Sequence, residues 1–237
     1  MTRRVTHHPT DDMLLEFVNG SLSTGLSVVL SAHIELCDHC RERRLQMEAS
    51  ASLAWQKEAD QNPATRQRDF SPMLAAINNK LSSEEQETEA RQETADVNEI
   101  HVLEGSIRLP RVLAKLAGEG IVWNKIAGGI SQADVTLDGG TQCEFLYMKP
   151  GGQVPMHKHR GNEVTLVLDG SFSDELGHYQ TADFVVRDGS HQHSPVSEEG
   201  CLCFAVQDSP LMFTRGLARL LNPFIKYRFK QALSRAR

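Results

Sequence analysis

Apolar positions along this chain follow two rhythms. Up to about residue 82 they recur every three or four residues, the period of amphipathic helices. Met13, Leu14, Phe17 and Val18 make a first helix, capped by Asp11 or Asp12 and ended by Gly20. Leu26, Val29, Leu30, His33, Ile34 and Cys37 make a second. A third runs from Cys40 to about Ala59 with Leu45, Met47, Leu53 and Trp55 as scattered apolar positions. Residues 61–69 read as a linker. Ser71-Pro72 then opens a fourth, separated helix whose narrow stripe is Met73, Leu74, Ile77 and Leu81. That stripe needs a partner.

After about residue 106 the rhythm becomes alternating. Short runs at 121–126, 131–137, 143–148, 164–168, 183–187 and 201–206 are separated by Asp-Gly and Pro-Gly turns, including Asp169-Gly170. Many short, evenly spaced strands imply an antiparallel barrel or sandwich. Between the two regions, 84–104 carries eight acidic residues and a single Arg, the character of a solvated linker. The expected organisation is α+β in two domains: a helical 1–83, an acidic linker 84–105, and a barrel 106–237 with a basic tail. That tail, from Leu211, carries seven Lys/Arg and no acid, and reads as helix broken at Asn222-Pro223.

Composition narrows the class. A net charge of -6 argues against direct nucleic-acid binding. The start lacks an apolar signal region and no run is long enough to span a membrane, so a cytoplasmic protein with reduced cysteines is expected.

His33-x3-Cys37-x2-Cys40 places His33 and Cys37 on one helix face and brings Cys40 round at the helix end. This is zinc-thiolate spacing, and His7 or His8 is the nearest fourth ligand. His39 points away. A redox CxxC fits less well, because such motifs follow a strand. These residues resemble the zinc-binding anti-sigma domain, three helices plus a detached fourth that packs on a sigma factor. The resemblance implies zinc held by His8, His33, Cys37 and Cys40, and sigma contact through Met73, Leu74, Ile77 and Leu81.

Gly151-x5-His157-x-His159-x3-Glu163-x6-Gly170 fits the first cupin motif at every spacing. His157 and His159 share a strand face, and Glu163 returns to it after Gly161. Such a set binds zinc or another divalent metal. His191 and His193, two apart, are both candidates for a further ligand. Cys143, Cys201 and Cys203 fall on strands as packing thiols, with Cys201 and Cys203 also candidate oxidation sensors.

Together the two modules resemble ChrR-type anti-sigma factors, in which His193, two residues before Pro195, takes the fourth position. The resemblance implies inhibition of an extracytoplasmic-function sigma factor in a 1:1 complex, ended by singlet oxygen or peroxide stress through the cupin domain. No catalytic residue is implied. The competing expectation is a metal-dependent cupin enzyme, dioxygenase-like, with a helical accessory domain.

Overall fold

A computed structural model describes residues 4–61, 69–88, 99–102, 105–118, 120–126, 128–137 and 140–235. Helix α1 (Asp11–Val18) is capped not by an aspartate but by Thr10, whose side chain accepts from the Met13 amide. Asp11 and Asp12 instead occupy the first turn, where the helix dipole favours them. Helix α2 (Thr24–Leu36) is capped by Ser23. At Cys37 the backbone turns extended, and α3 (Asp38–Gln61) begins at the next residue. Most of the linker expected over 61–69 lies outside the described residues.

Helix α4 (Ser71–Thr88) runs into the acidic stretch expected to be linker. That stretch also ends in strand β1 (Glu99–Val102), which pairs antiparallel with β2 (Gly105–Arg108). Charge density alone did not reveal these ends: Glu and Gln sustain a helix, and Ile100 and Val102 supply strand formers. Residues 89–98, the middle of the expected linker, lie outside the described residues. The chain divides into two compact units, Met1–Arg44 with Asn98–Arg237, and Leu45–Val97.

In the first unit, helix α5 (Arg111–Ala117) precedes the strands β3 (Asn124–Lys125), β4 (Ile130–Val135), β5 (Gln142–Met148), β6 (Gly152–Gln153), β7 (His157–Lys158), β8 (Glu163–Asp174), β9 (Gly177–Gln180), β10 (Phe184–Arg187), β11 (Gln192–His193), β12 (Val196–Ser197), β13 (Cys201–Gln207) and β14 (Met212–Phe213). The main sheet runs β3-β4-β5-β13-β8-β12-β6, with β9 and β10 also on β8. A small sheet, β11-β7-β14, completes the curled antiparallel barrel of cupin type.

The expected strand at 121–126 shrinks to β3, and the one at 164–168 grows into β8. Asp169-Gly170 is not a turn. The pair stays in register with Leu202 and Cys201 of β13; the register slips just before it, at Leu168, and with Gly170 at φ 73° this bends β8 and lets it serve two parts of the sheet. A Cβ on Gly170 would meet the Gly200 carbonyl oxygen at 2.1 Å.

The sheet is packed on both faces, one of them by a buried cluster that includes Ile130, Met148, Val167, Phe172, Cys201 and Cys203. Phe145 and Phe204 are fully buried with ring centroids 5.1 Å apart, and α2 packs over β8, β13 and α5. Gly25 of α2 lies so close that a Cβ would meet Thr141 Oγ1 at 2.5 Å. The tail does not begin as helix. Met212–Phe213 is strand, Leu217–Leu221 a 3₁₀ turn, and Asn222-Pro223, expected to break the helix, starts α6 (Asn222–Arg235). Proline suits a first helical turn, and Asn222 ties that end to the Phe213 backbone at 2.8 and 3.1 Å.

The segment before α1 is pinned to the barrel by Asp183. Its Oδ1 accepts from the amides of Thr6 (2.8 Å) and His7 (3.0 Å), and its Oδ2 from the Gln180 amide (3.0 Å). Burial opposes its ionisation, but the Gln180, Thr6 and His7 amides outweigh this and hold the carboxyl below its usual range. A lowered pKa stabilises the fold above the ordinary carboxylate range, and that contribution is lost as pH falls through the folded value. Asp183→Ala leaves three part-buried bonds from amides unmade. It is expected to cost about 3 kcal/mol, read as a lower denaturation midpoint in urea.

Candidate metal centres

The structure brings His8, His33, Cys37 and Cys40 together, with one candidate ligand atom from each within 4.8 Å of the others. The break between α2 and α3 aims both thiols back at His33. His8 Nδ1 lies 3.5 Å from Cys37 Sγ and 3.4 Å from Cys40 Sγ. His7, the alternative, faces Asp183 instead, with Nδ1 3.3 Å from Oδ2. His39 is exposed and outside the cluster.

His33 donates from Nδ1 to the Ala182 carbonyl at 2.9 Å, which fixes its tautomer. Its Nε2 is buried with no hydrogen-bond partner among the described residues. Burial holds its pKa down at about 4, so the ring is a neutral donor. Burial, with Cys37 beside it, pushes the Cys40 thiol up to about 12. A Cys40 thiolate persists here only beside a cation. Two imidazoles and two thiols at this spacing are compatible with a closed zinc site, in which the metal cross-links the segment and does no chemistry.

The second cluster joins His157, His159, Glu163 and His193, again within 4.8 Å. His157 on β7 and His193 on β11 are directly paired across the ladder. His191 is exposed, its Nδ1 3.9 Å from Asp188 Oδ1, and it stays outside the cluster. His157 Nδ1 donates to the Pro155 carbonyl (3.0 Å), and His193 Nδ1 to Asp174 Oδ2 (3.1 Å). Both rings therefore turn Nε2 inward. His159 Nε2 sits 3.2 Å from His193 Nε2 and 3.0 Å from Glu163 Oε2.

Burial holds His157 neutral, with a pKa of about 4. Burial opposes ionisation of Glu163, but His159, His157 and His193 together hold it at about 2. Burial opposes protonation of His159, but the Glu163 carboxylate outweighs it and holds the ring above its usual range. A divalent cation would displace that proton, take the imidazoles and the carboxylate as ligands, and supply Lewis acidity.

Sequence reading missed the residues behind this cluster. Asp174 takes His193 on one side and Arg187 (3.0 Å) on the other, and Tyr179 donates to it at 3.2 Å. Burial opposes its ionisation, yet His193, the Leu176 amide and Arg187 hold it well below the carboxylate range. Asp174→Asn is expected to weaken metal binding at the barrel cluster about 10–100-fold, measured by competition with a chelating dye.

Gln207 Nε2 bridges Glu163 and Glu144 at 3.2 Å each. Burial, then the charges of Asp134 and Glu163, push the Glu144 carboxyl up to about 8. A signal existed for Glu144: strand alternation puts it on the same face as Leu146 and Met148. Arg228 of α6 closes this polar chain, reaching Gln132 (3.2 Å) and Asp134 (2.9 Å).

In the second unit, Met73, Leu74 and Ile77 are 54%, 55% and 45% exposed. The Leu81 side chain lies outside the described residues. On α3, Leu53 and Trp55 are also exposed, positions that sequence reading took only as scattered apolar ones. Cys143, Cys201 and Cys203 are free and buried, with the Cys201 and Cys203 sulfurs 3.3 Å apart.

A curled barrel with a His₃Glu cluster, joined to helices bearing a His₂Cys₂ cluster, defines a cupin protein with a zinc-type helical module. Residues 116–210 match the ChrR Cupin-like domain. The chain is 32% identical over 228 residues to the anti-sigma-E factor ChrR of Cereibacter sphaeroides, covering 94% of this chain and 99% of that protein. It also matches a chain of the crystal structure of Rhodobacter sphaeroides SigE in complex with the anti-sigma ChrR. That match has a TM-score of 0.65 at 28% identity and covers 86% of this chain and 100% of that one. The chain belongs to the ChrR family of anti-sigma factors. No helix among the described residues is long and apolar enough to cross a membrane.

Proposed function

We propose that this protein is a cytoplasmic anti-sigma factor that binds an extracytoplasmic-function sigma factor in a 1:1 complex. The observation that carries this reading is the 32% identity to an anti-sigma factor over 94% of the chain. The solved relative in complex with SigE supports it. Inhibition is occlusion: Met73, Leu74, Ile77 and Leu81 of α4 dock on surfaces the sigma factor needs for RNA polymerase, and Trp55 of α3 is a further anchor. Residues 1–83 form the inhibitory module. Zinc at His8, His33, Cys37 and Cys40 holds its N-terminal part together.

The barrel is the control half. Its metal, held by His157, His159, Glu163 and His193, and its buried Cys201–Cys203 pair are the groups through which singlet oxygen or peroxide ends inhibition. The test is co-expression with a sigma factor of the extracytoplasmic-function class from the same organism. A 1:1 complex that survives gel filtration is expected, and sigma eluting alone contradicts the reading. Exposing that complex to a photosensitiser in light, or to peroxide, is expected to free the sigma factor.

The cavity that adjoins the barrel cluster supports a second reading, a dioxygenase-like cupin enzyme. It requires iron or manganese in the barrel of the purified protein and consumption of oxygen, where the regulator reading expects zinc at both sites.

A further inference from the structure

The barrel encloses a cavity of about 1120 Å³, at the upper end of the range for small-molecule sites. On the side of the sheet away from α2, residues of a buried apolar cluster also line this cavity. Ile130, Leu146, Met148, Val154, Phe172 and Val185 make its apolar walls. Leu221 and Phe224, from the 3₁₀ turn and α6, stand at its rim. His157, Glu163 and His193 of the candidate metal cluster also line it. A largely apolar cavity with a cation-ready cluster in its wall fits a molecule that joins an apolar body to one polar group.

Charge decides the head group. Of the three Lys and Arg side chains along the lining, Arg187 is engaged with Asp174 and Arg228 with Asp134, while Lys125 is exposed on the edge strand β3. Glu144 is held by the side-chain amides of Gln132, Gln142 and Gln207. A divalent cation among three neutral imidazoles and one carboxylate carries one unbalanced positive charge. In an apolar chamber that charge calls for a monoanion.

We infer that the cavity binds a single-chain fatty-acid-class amphiphile, its carboxylate at the metal cluster and its acyl chain along the Leu146–Val154–Phe172 wall. This rests on the reading of His157, His159, Glu163 and His193 as metal ligands, and is independent of the sigma partner.

The test uses the full chain loaded with zinc and the fluorescent fatty acid cis-parinaric acid. Saturable binding of one probe per chain is expected, displaced by dodecanoate. Leu146→Trp fills the chamber and is expected to weaken the probe at least about tenfold while zinc content and melting midpoint hold. Val154→Phe, from a different wall position, gives the same reading should Leu146→Trp fail to fold. His193→Ala, which removes the barrel metal, is expected to weaken dodecanoate while leaving dodecanol unchanged. Three results would overturn the inference: no saturable binding, equal binding by the folded filled variants (adsorption to the exposed Leu217 and Leu220), or dodecanoate binding indifferent to the barrel metal.

Discussion

Replacing Cys37 and Cys40 together by serine is expected to remove one zinc equivalent per chain and to weaken sigma binding at least about 100-fold. The size of the effect follows from what the cluster holds. His8, His33, Cys37 and Cys40 come from the chain before α1, from α2, from the α2–α3 break and from α3. A structural zinc supplies about 10–16 kcal/mol of apparent binding energy at neutral pH, more than the whole stability of many small domains. Without it, the buried Nε2 of His33 loses its ligand role and α3 loses its anchor on α2. Zinc content by atomic emission and sigma affinity by titration read the two consequences separately. A variant that loses zinc yet binds sigma as before contradicts the structural role of the metal.

The second large effect is expected on the opposite principle. Met73, Leu74 and Ile77 are about half exposed, so replacing all three by glutamate should change folding stability by no more than about 0.5 kcal/mol per site. Buried interface anchors cost about 2 kcal/mol or more each when lost, non-additively. The triple variant is therefore expected to lose sigma binding by more than about 100-fold while keeping both zinc equivalents and its melting midpoint. Stability and binding separate here, which the cysteine variant cannot achieve. An unchanged sigma affinity would place the docking surface elsewhere.

Both clusters of candidate ligands were legible as groupings because most of their residues lie in short windows, 33–40 and 157–163, where periodicity fixes which side chains share a face. His191 and His193 could not be separated that way, since two residues on a strand share a side. Only the pairing of His193 with His157 across β11 and β7 distinguishes them. Asp183 was equally out of reach, because its amide partners at Thr6 and His7 come from the far end of the chain. The same holds for the path from Glu163 through Gln207, Glu144 and Gln132 to Arg228, built from contacts between distant strands and the last helix. Local signals misled where one residue pair serves two purposes. Asp-Gly marks turns, but here the left-handed backbone at Gly170 sits inside a continuous strand, just after a bulge at Leu168. Asn-Pro breaks a helix from within but opens one from outside, as at Asn222.

The most direct test of the central claim is in vitro transcription by core RNA polymerase and the cognate sigma factor, titrated with this protein. The account predicts that run-off product falls to background at one equivalent of protein per sigma, and that the Met73, Leu74 and Ile77 triple glutamate variant leaves it unchanged. Full-length transcript persisting at several equivalents of folded, zinc-loaded protein would contradict it.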